Sequence, residues 1–168
     1  MEEDFSIGHN RSHIFRPYTK SDLEECLALF DANCPEFFAP SERLDYEAFL
    51  ALEPPGYKVV VAGDEMLGAF GFEAAANSSR GRLGWILVHP SAQRTGLGSQ
   101  MLTEIRQEAE ARSISVLDIA ASHRSCTFFA HFGAVELQRT ENGWGPGMHR
   151  VEMEWFLGEA REPPKERA

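Results

Sequence analysis

Gln93-Arg94-Thr95-Gly96-Leu97-Gly98-Ser99-Gln100 is the stretch that decides the fold, and it lies between the apolar run Trp85-Ile86-Leu87-Val88 and an amphipathic segment. Two glycines separated by one residue allow the backbone to turn tightly and to approach a ligand closely. The first N–H groups of a helix that begins here point outward at the positive end of the helix dipole. The stretch therefore predicts a cradle for an anionic, phosphate-bearing ligand.

The residues after the cradle favour this interpretation over a plain Gly-rich turn, which is the alternative. Apolar residues recur there with the spacing of a helix that packs on a sheet, at Met101, Leu102, Ile105 and Ala109. A dinucleotide-binding fingerprint requires a third glycine where Met101 stands, and an NTPase loop requires Gly-Lys-Ser/Thr, which the sequence lacks. The pattern indicates a different phosphate compound.

The length of 168 residues and the hydrophobic content of 43% predict a single domain with a sizeable core. The polar ends predict flexible tails at residues 1–12 and 158–168, which leaves a domain at 13–157. No apolar run approaches the roughly 18 residues of a membrane span, and the chain begins with acidic residues where a secretory signal is basic. We therefore expect a soluble, cytoplasmic protein without a membrane partner.

The charge and the cysteine content argue against several classes of protein, namely nucleic-acid-binding, disulfide-stabilised and metal-binding proteins. The chain has 16 Lys and Arg against 26 Asp and Glu, a net charge of −10. This charge argues against a nucleic-acid partner and is compatible with a cationic small substrate, although acidic soluble proteins are common. The three cysteines, Cys26, Cys34 and Cys126, are an odd and sparse set that we interpret as reduced. We predict no metal site, because the sequence lacks His-Glu-x-x-His and Cys-x-x-Cys.

Hydrophobic periodicity predicts an α/β (α+β) fold. The predicted elements are a strand at 13–17, a helix opened by the capping box Ser21-Asp22-Leu23-Glu24, a helix from Pro40-Ser41, strands at 57–61, 66–73 and 82–88, a helix at 97–112, a strand at 114–120, a helix at 124–132, and strands at 134–140 and 148–157. The unit from 82 to 120 predicts a right-handed parallel crossover. We expect a central mixed, mostly antiparallel sheet of about seven strands flanked by about four helices.

With these residues in place, the chain resembles the GNAT superfamily of acyl-CoA-dependent N-acyltransferases over roughly residues 13–157. Three features carry the resemblance. The stretch from Gln93 to Gly98 matches the loop Gln/Arg-x-x-Gly-x-Gly/Ala, and the strand before it ends in Val88-His89-Pro90. The segment from Ser122 to Ala134 is similar to the family's Asn-x-x-Ala-x-x-Phe-Tyr-x-x-x-Gly-Phe.

The resemblance implies a single-domain GNAT-like fold and acetyl-CoA (coenzyme A) as cosubstrate. The implied pyrophosphate contacts are the backbone N–H groups of Arg94, Thr95, Gly96, Leu97, Gly98 and Ser99, with the side chains of Gln93 and Arg94 on either side. The strand edge at Leu87 and Val88 is implied to pair with the pantetheine arm, as an added peptide pairs with a sheet edge. The resemblance also implies that a bulge splays this strand from its parallel neighbour, and it makes a homodimer an expectation.

Two positions depart from the family's pattern. Ser122 stands where the family often has Asn, and it keeps one donor and one acceptor on a shorter side chain. Phe129 stands where the family often has a Tyr that protonates the departing thiolate, so that hydroxyl is absent. Both positions remain among the predicted cofactor contacts.

N-acyl transfer needs a neutral amine, a donor for the developing oxyanion and departure of the thiolate. A thiol with a pKa of about 8.5 leaves without strong acid help, whereas an amine with a pKa near 10.4 is harder to deprotonate. We expect the backbone N–H near Val88 to be the oxyanion donor. The candidate bases are Glu73, Asp118 and His149, and each has a structural alternative: a solvated strand residue, an arginine partner and the start of a strand. Ser125, Cys126 and His131 are candidates for acid help.

The acceptor pocket of this fold is usually formed by the first two helices and the last loop. Here Phe37, Phe38 and Trp144 are a candidate aromatic wall for an amine or its cation, and Asn33 and Glu42 are candidate polar contacts. Ordinary helix packing and a Gly-rich turn are the alternatives.

From the sequence we therefore predict an N-acetyltransferase that transfers the acetyl or another short acyl group of acetyl-CoA to a primary amine in a ternary complex. The acceptor is predicted to be a small molecule more readily than a protein. The main alternative is a non-catalytic acyl-CoA-binding module of the same fold, which Phe129 and the lack of a carboxylate in strand 82–88 would suit. A third hypothesis is a structural, dimer-forming protein without a cofactor, which the Gly-rich loop from Gln93 to Gly98 disfavours.

Overall fold

The structure is a computed structural model that describes residues 12–158. The predicted tails lie outside these residues except for Ser12 and Gly158. The described part of the chain forms β1 (Ile14–Pro17), α1 (Leu23–Ala32), α2 (Glu42–Ala51), β2 (Lys58–Ala62), β3 (Glu65–Phe70), β4 (Phe72–Ala74), β5 (Arg80–Leu83), β6 (Leu87–Val88), α3 (Leu97–Ala111), β7 (Val116–Ser122), α4 (Cys126–His131), β8 (Val135–Gly145) and β9 (Met148–Phe156).

The strands form two sheets, with the orders β1-β2-β3-β6 and β4-β5-β7-β9-β8. β5 and β7 are parallel, and all other neighbouring strands are antiparallel. The predicted α/β class, the four helices and the parallel crossover through α3 are confirmed. The strand count differs, because the predicted strands 66–73 and 82–88 are each divided into two.

Two glycines explain the division. The N–H of Gly84 donates to the carbonyl of Gly71 over 2.8 Å at the point where both strands break. A Cβ on Gly71 would lie 2.9 Å from Cδ2 of Tyr57, and a Cβ on Gly84 would lie 3.2 Å from the carbonyl oxygen of Gly71. Because any larger residue would force these backbones apart, the glycine pair allows each strand to leave one sheet and enter the other.

Helix α3 packs as its apolar stripe predicts. Leu97, Met101, Leu102, Ile105 and Ala109 are all buried, and they join the core that α3 shares with the five-stranded sheet. A second core lies between α1, α2 and the four-stranded sheet, with Tyr46, Tyr57 and Phe30 among its largest side chains. Alternate residues of β2 and β3 enter the two cores, Val60 and Phe70 the first and Val59 and Ala69 the second, so the cores lie on opposite faces of the four-stranded sheet.

The start of α1 differs from the predicted capping box. Lys20–Asp22 forms a 3₁₀ turn, and α1 begins at Leu23. The carboxylate of Asp22 accepts from the backbone N–H of Thr19 over 2.9 Å and from both terminal nitrogens of Arg16 at 2.8 Å. The Arg16 guanidinium holds the pKa of Asp22 below its usual value. The capping acid therefore acts two residues earlier than the sequence pattern indicated.

Candidate active site

A gap opens where β5 gives way to β6. β5 pairs with β7 from Arg80 to Arg82, while β6 pairs with β3 through Leu87 and Val88. The irregular stretch at 84–86 therefore separates β6 from its parallel neighbour β7. A cavity of about 790 Å³ fills the gap, with residues 82–88 on one side and 119–122 on the other. This is the splayed arrangement that the resemblance implied.

The backbone of Val88 faces this cavity. Hydrogen-bonded and non-bonded pairs alternate along an antiparallel ladder. The N–H of His89 donates to the carbonyl of Leu67 over 2.8 Å, so the adjacent pair of Val88 and Gly68 is a non-bonded pair. The N–H and C=O of Val88 therefore point away from β3, and Val88 lines the cavity. The predicted oxyanion donor is oriented toward the gap.

The cradle lies at the start of α3. Arg94 and Gly96 have positive φ angles of 62° and 89°, which turn the loop into the helix. The first helical hydrogen bond runs from the N–H of Gln100 to the carbonyl of Gly96 over 3.1 Å. Within residues 12–158, no acceptor is bonded to the N–H groups of 94–99. Arg94, Gly96, Gly98 and Ser99 line the cavity.

The other residues of the predicted cradle shape the turn. The hydroxyl of Thr95 donates to the carbonyl of Ala92, and the side chain of Leu97 is buried in the core. Both can serve a phosphate only through the backbone. A Cβ on Gly98 would lie 3.0 Å from Cζ of Phe128, so a larger residue would require the Phe128 ring to shift where it meets α3.

Gln93 and Asn33 fasten the cradle to the end of α1. The amide nitrogen of Gln93 donates to Oδ1 of Asn33 over 2.9 Å and to the carbonyl of Val88 over 3.1 Å. The amide nitrogen of Asn33 donates to the carbonyl of Leu29 over 2.9 Å, and Asn33 is only 3% exposed. The sequence assigned Gln93 to the cofactor and Asn33 to the acceptor amine. In the structure the two side chains are hydrogen-bonded to each other and connect the cofactor side of the site with the acceptor side.

The two departures from the family's pattern both line the cavity. Ser122 ends β7, and its hydroxyl accepts from the N–H of Arg124 over 3.3 Å and lies 3.2 Å from the hydroxyl of Ser125. Phe129 is buried in the core. Ser125 also lines the cavity, whereas Cys126 and His131 are not among its lining residues.

The structure separates the three candidate bases. Glu73 is exposed on β4 and lines the cavity. Asp118 forms a two-point ion pair with Arg80 at 2.8 and 2.6 Å, and Nδ1 of His149 accepts from the N–H of Asn142 over 2.9 Å. Neither Asp118 nor His149 lies among the described lining residues. Of the three, only Glu73 is brought together with Val88.

All five predicted acceptor residues line the cavity, namely Asn33, Phe37, Phe38, Glu42 and Trp144. Trp144 fixes the β8–β9 hairpin over the site, because its Nε1 donates to the carbonyl of Ala121 over 2.9 Å and its own carbonyl accepts from the hydroxyl of Ser41 over 3.3 Å. The guanidinium of Arg150 stacks on the Trp144 ring at 4.7 Å. Sequence reasoning missed three further aromatic lining residues, Phe49, Trp85 and Phe128.

Among the described residues that line the cavity, Glu42 is the one buried carboxylate, at 5% exposure. Its Oε2 accepts from the backbone N–H of Ala39 over 2.7 Å. The pKa of the Glu42 carboxyl is raised from 4.5 to about 7, mainly by burial; the Ala39 N–H and Arg150 act in the opposite direction, and Asp45 contributes to the increase. The sequence named Glu42 only as a polar contact, because its burial depends on the tertiary structure, in which the hydroxyl of the neighbouring Ser41 donates to the carbonyl of Trp144 in the hairpin.

The described part of the chain offers neither a metal-binding cluster nor a membrane-spanning helix. Residues 12–158 contain no group of three or more His, Cys, Asp or Glu side chains that could hold a metal ion. None of the helices described is both long and apolar enough to cross a membrane.

Comparison with known proteins gives one family. The sequence model of the Acetyltransferase (GNAT) family matches residues 26–134. Curated protein sequences gave no significant match. Similar solved structures include the ribosomal-protein-S18-alanine N-acetyltransferase from Escherichia coli (TM-score 0.72, 18% identity, 90% of this chain and 97% of that chain) and an N-acetyltransferase from Staphylococcus aureus Mu50 (0.64, 21%, 87% and 99%). An aminoglycoside 6'-N-acetyltransferase complexed with coenzyme A is also similar (0.66, 14%, 89% and 99%).

Proposed function

The chain belongs to the acetyltransferase (GNAT) family, and from that premise we propose that it transfers the acetyl group of acetyl-CoA directly to a primary amine. The observation that carries the proposal is the backbone of Val88, which faces the gap between β6 and β7 beside the start of α3. A thioester carbonyl in this gap receives a hydrogen bond from the Val88 N–H, and that bond strengthens as negative charge develops on the oxygen.

The described residues fit acetyl-CoA. The pyrophosphate is held by the free N–H groups at the start of α3, where the helix dipole favours an anion. Arg94 and Arg124 also line the cavity and are exposed, so they add positive charge for the phosphates of an otherwise acidic chain. The pantetheine arm lies along the edge of β6 at Val88, where the N–H faces the gap and the carbonyl accepts from Gln93.

Direct transfer is the simpler route for these residues. Among the described residues that line the cavity there is no histidine to activate a nucleophile, and the hydroxyls of Ser122 and Ser125 interact with each other. The thiol of Cys126 is buried and is directed at the carbonyl of His123. An acyl-enzyme therefore has no evident nucleophile. Because a thiolate with a pKa of about 8.5 leaves readily, Phe129 in place of Tyr is compatible with turnover.

The acceptor side of the cavity supports a small cationic amine. Glu36, Glu42 and Asp45 contribute carboxyl groups there, beside an aromatic wall that includes Phe37 and Trp144. Carboxylates and aromatic faces both attract an ammonium group. The similar structures include an enzyme named for a ribosomal protein and one named for aminoglycosides, so this fold serves both acceptor classes. A cytoplasmic location and a homodimer stay predictions from the sequence.

Calorimetric titration with acetyl-CoA tests the cofactor site. Gly96→Glu places bulk and negative charge in the cradle, and we expect wild-type binding in the micromolar range to weaken at least tenfold, about 1.4 kcal/mol. Gly133→Glu is the matched control, because Gly133 also has a positive φ, of 99°, with open space around it and lies outside the cavity lining. Equal binding by all three folded proteins would refute the proposed cradle.

A panel of primary amines, assayed by release of coenzyme A, tests the reaction. Turnover of any amine supports the transferase. Tight acetyl-CoA binding without turnover of any amine would instead favour a non-catalytic acyl-CoA-binding module, the alternative that the missing Tyr hydroxyl at Phe129 suggests.

A further inference from the structure

We propose that Glu42 accepts the proton of the attacking amine, an inference that rests on the proposed transferase function and assigns its base. The position differs from every base that the sequence suggested, since Glu42 begins α2 and reaches the cavity from the acceptor side. The proposal has three supports: the geometry of the carboxylate, the balance of charges around it, and the aromatic surface on which an amine would lie.

The carboxylate of Glu42 is held in one orientation. The N–H of Ala39 binds Oε2, and no donor among residues 12–158 is bonded to Oε1. One oxygen is therefore fixed by the backbone while the other is available to an ammonium group in the cavity. A base that is positioned in this way loses little freedom when the substrate binds.

The charges that act on Glu42 oppose each other. Asp45, on the same helix, raises the pKa of Glu42, while the hydrogen bond from Ala39 and the charge of Arg150 on β9 lower it. Burial outweighs these effects. Glu36 and Arg124 are further charged residues of the cavity lining. A carboxyl whose pKa is near 7 is a far better match to proton removal at neutral pH than an exposed glutamate.

Aromatic side chains that pack on one another line the cavity together with Glu42. The Phe38 ring lies 5.8 Å from Trp85 and 5.2 Å from Phe30, and Trp85 lies 4.9 Å from Tyr46. Phe38, Trp85 and Trp144 line the cavity with Glu42, so a bound amine can lay its apolar body on these rings while its ammonium group approaches the carboxylate. The buried neighbours also weaken competition by water for the proton.

The acyl transfer conserves atoms and charge. The ammonium group gives one proton to Glu42, and the lone pair of the neutral nitrogen forms the N–C bond to the thioester carbonyl. The C–S bond breaks with its electron pair on sulfur, the second proton of nitrogen passes to the thiolate, and Glu42 returns its proton to solvent. Val88 supports the oxyanion throughout.

The test is the pH profile of kcat/KM with the best acceptor among 2-phenylethylamine, spermidine and glycinamide. In the wild type we expect kcat/KM to rise to a plateau with an apparent pKa near 7. In Glu42→Gln the glutamine oxygen can still accept from Ala39, so the fold and acetyl-CoA binding should persist. We expect kcat/KM to fall about 100-fold at pH 8 and to keep rising until the free amine itself loses its proton.

Two further variants sharpen the result. Glu47→Gln changes a half-exposed glutamate of the same helix, outside the cavity lining, and should keep the wild-type profile. Glu73→Gln changes the competing base, and loss of the limb near pH 7 in this variant alone would overturn the assignment of Glu42. A wild-type profile in Glu42→Gln would overturn it as well, while leaving the transferase intact. If the wild type turns over none of the amines, both proposals fail.

Discussion

At the residue scale, the hydrogen bond between Gln93 and Asn33 raises the question whether Gln93 stabilises the cradle or contacts the pyrophosphate directly. Gln93→Met keeps the length of the side chain but leaves Oδ1 of buried Asn33 and the carbonyl of Val88 without this donor. We expect the free energy of unfolding to fall by about 1–3 kcal/mol and acetyl-CoA binding to weaken. Urea unfolding and calorimetry measure the two effects.

Stability and acetyl-CoA affinity, measured on the same variant, decide whether Gln93 stabilises the fold or only contacts the pyrophosphate. A Gln93 that only touched the pyrophosphate would lose affinity in Gln93→Met without losing stability. Gln138→Met is a suitable control, because Gln138 is exposed on β8, and it should change neither quantity.

At the element scale, the β8–β9 hairpin should govern the acceptor and leave the cofactor alone. Trp144→Phe keeps an aromatic ring but removes the hydrogen bond to the carbonyl of Ala121, which belongs to β7. We expect the KM for the amine to rise about 5- to 10-fold, as for the loss of a hydrogen bond of about 1–1.5 kcal/mol. Steady-state kinetics with varied amine provide the measurement.

Acetyl-CoA affinity should be unchanged in Trp144→Phe, because the cradle lies on α3. Phe156→Leu controls for a general loss of aromatic surface on the hairpin, since Phe156 is exposed on β9. A shift in acetyl-CoA affinity as large as the shift in amine KM would show that the hairpin does not act on the acceptor alone.

The elements also show what the sequence could predict. The stripe from Leu97 to Ala109 predicted α3 and the crossover, because helical periodicity is local and the buried face repeats every three or four residues. The division of two strands at Gly71 and Gly84 was not predictable, since it depends on a contact between glycines in different strands. Most of the predicted cavity residues do line the cavity, because they stand at the ends of elements whose order along the chain was predicted correctly.

The electrostatics of Glu42 lay beyond the sequence. An isolated glutamate in the first turn of a helix is usually solvated, whereas the tertiary structure buries this one and bonds it to the N–H of Ala39. The pairing of Asp118 with Arg80 likewise depends on β5 and β7 lying side by side. Local patterns predict elements, whereas pKa values require the finished tertiary structure.

At the scale of the whole molecule, the site combines elements that pack on two different cores. The cradle on α3 belongs to the core of the five-stranded sheet, and the acceptor wall on α1 and α2 belongs to the core of the four-stranded sheet. Glu42 contributes a charge that this second core must bury. Function at the cavity should therefore reduce the stability of the whole fold, and pH is the variable that reveals it.

The last prediction concerns that stability. Because burial raises the pKa of Glu42 from 4.5 to about 7, the folded state holds this proton more tightly than the unfolded state. The associated stabilisation is complete below pH 4.5 and is lost as the pH rises to about 7. Glu42→Gln has no such proton, so its free energy of unfolding should increase relative to the wild type across this window and stay higher above it.

Urea unfolding of both proteins at pH 5, 6, 7 and 9 measures the difference, with Glu47→Gln as the control that should track the wild type. A difference that is constant with pH would mean that the folded and unfolded states bind the Glu42 proton equally. A difference of the opposite sign would mean that the folded state favours the carboxylate. Either result would contradict the raised pKa independently of catalysis, since unfolding requires neither acetyl-CoA nor an amine.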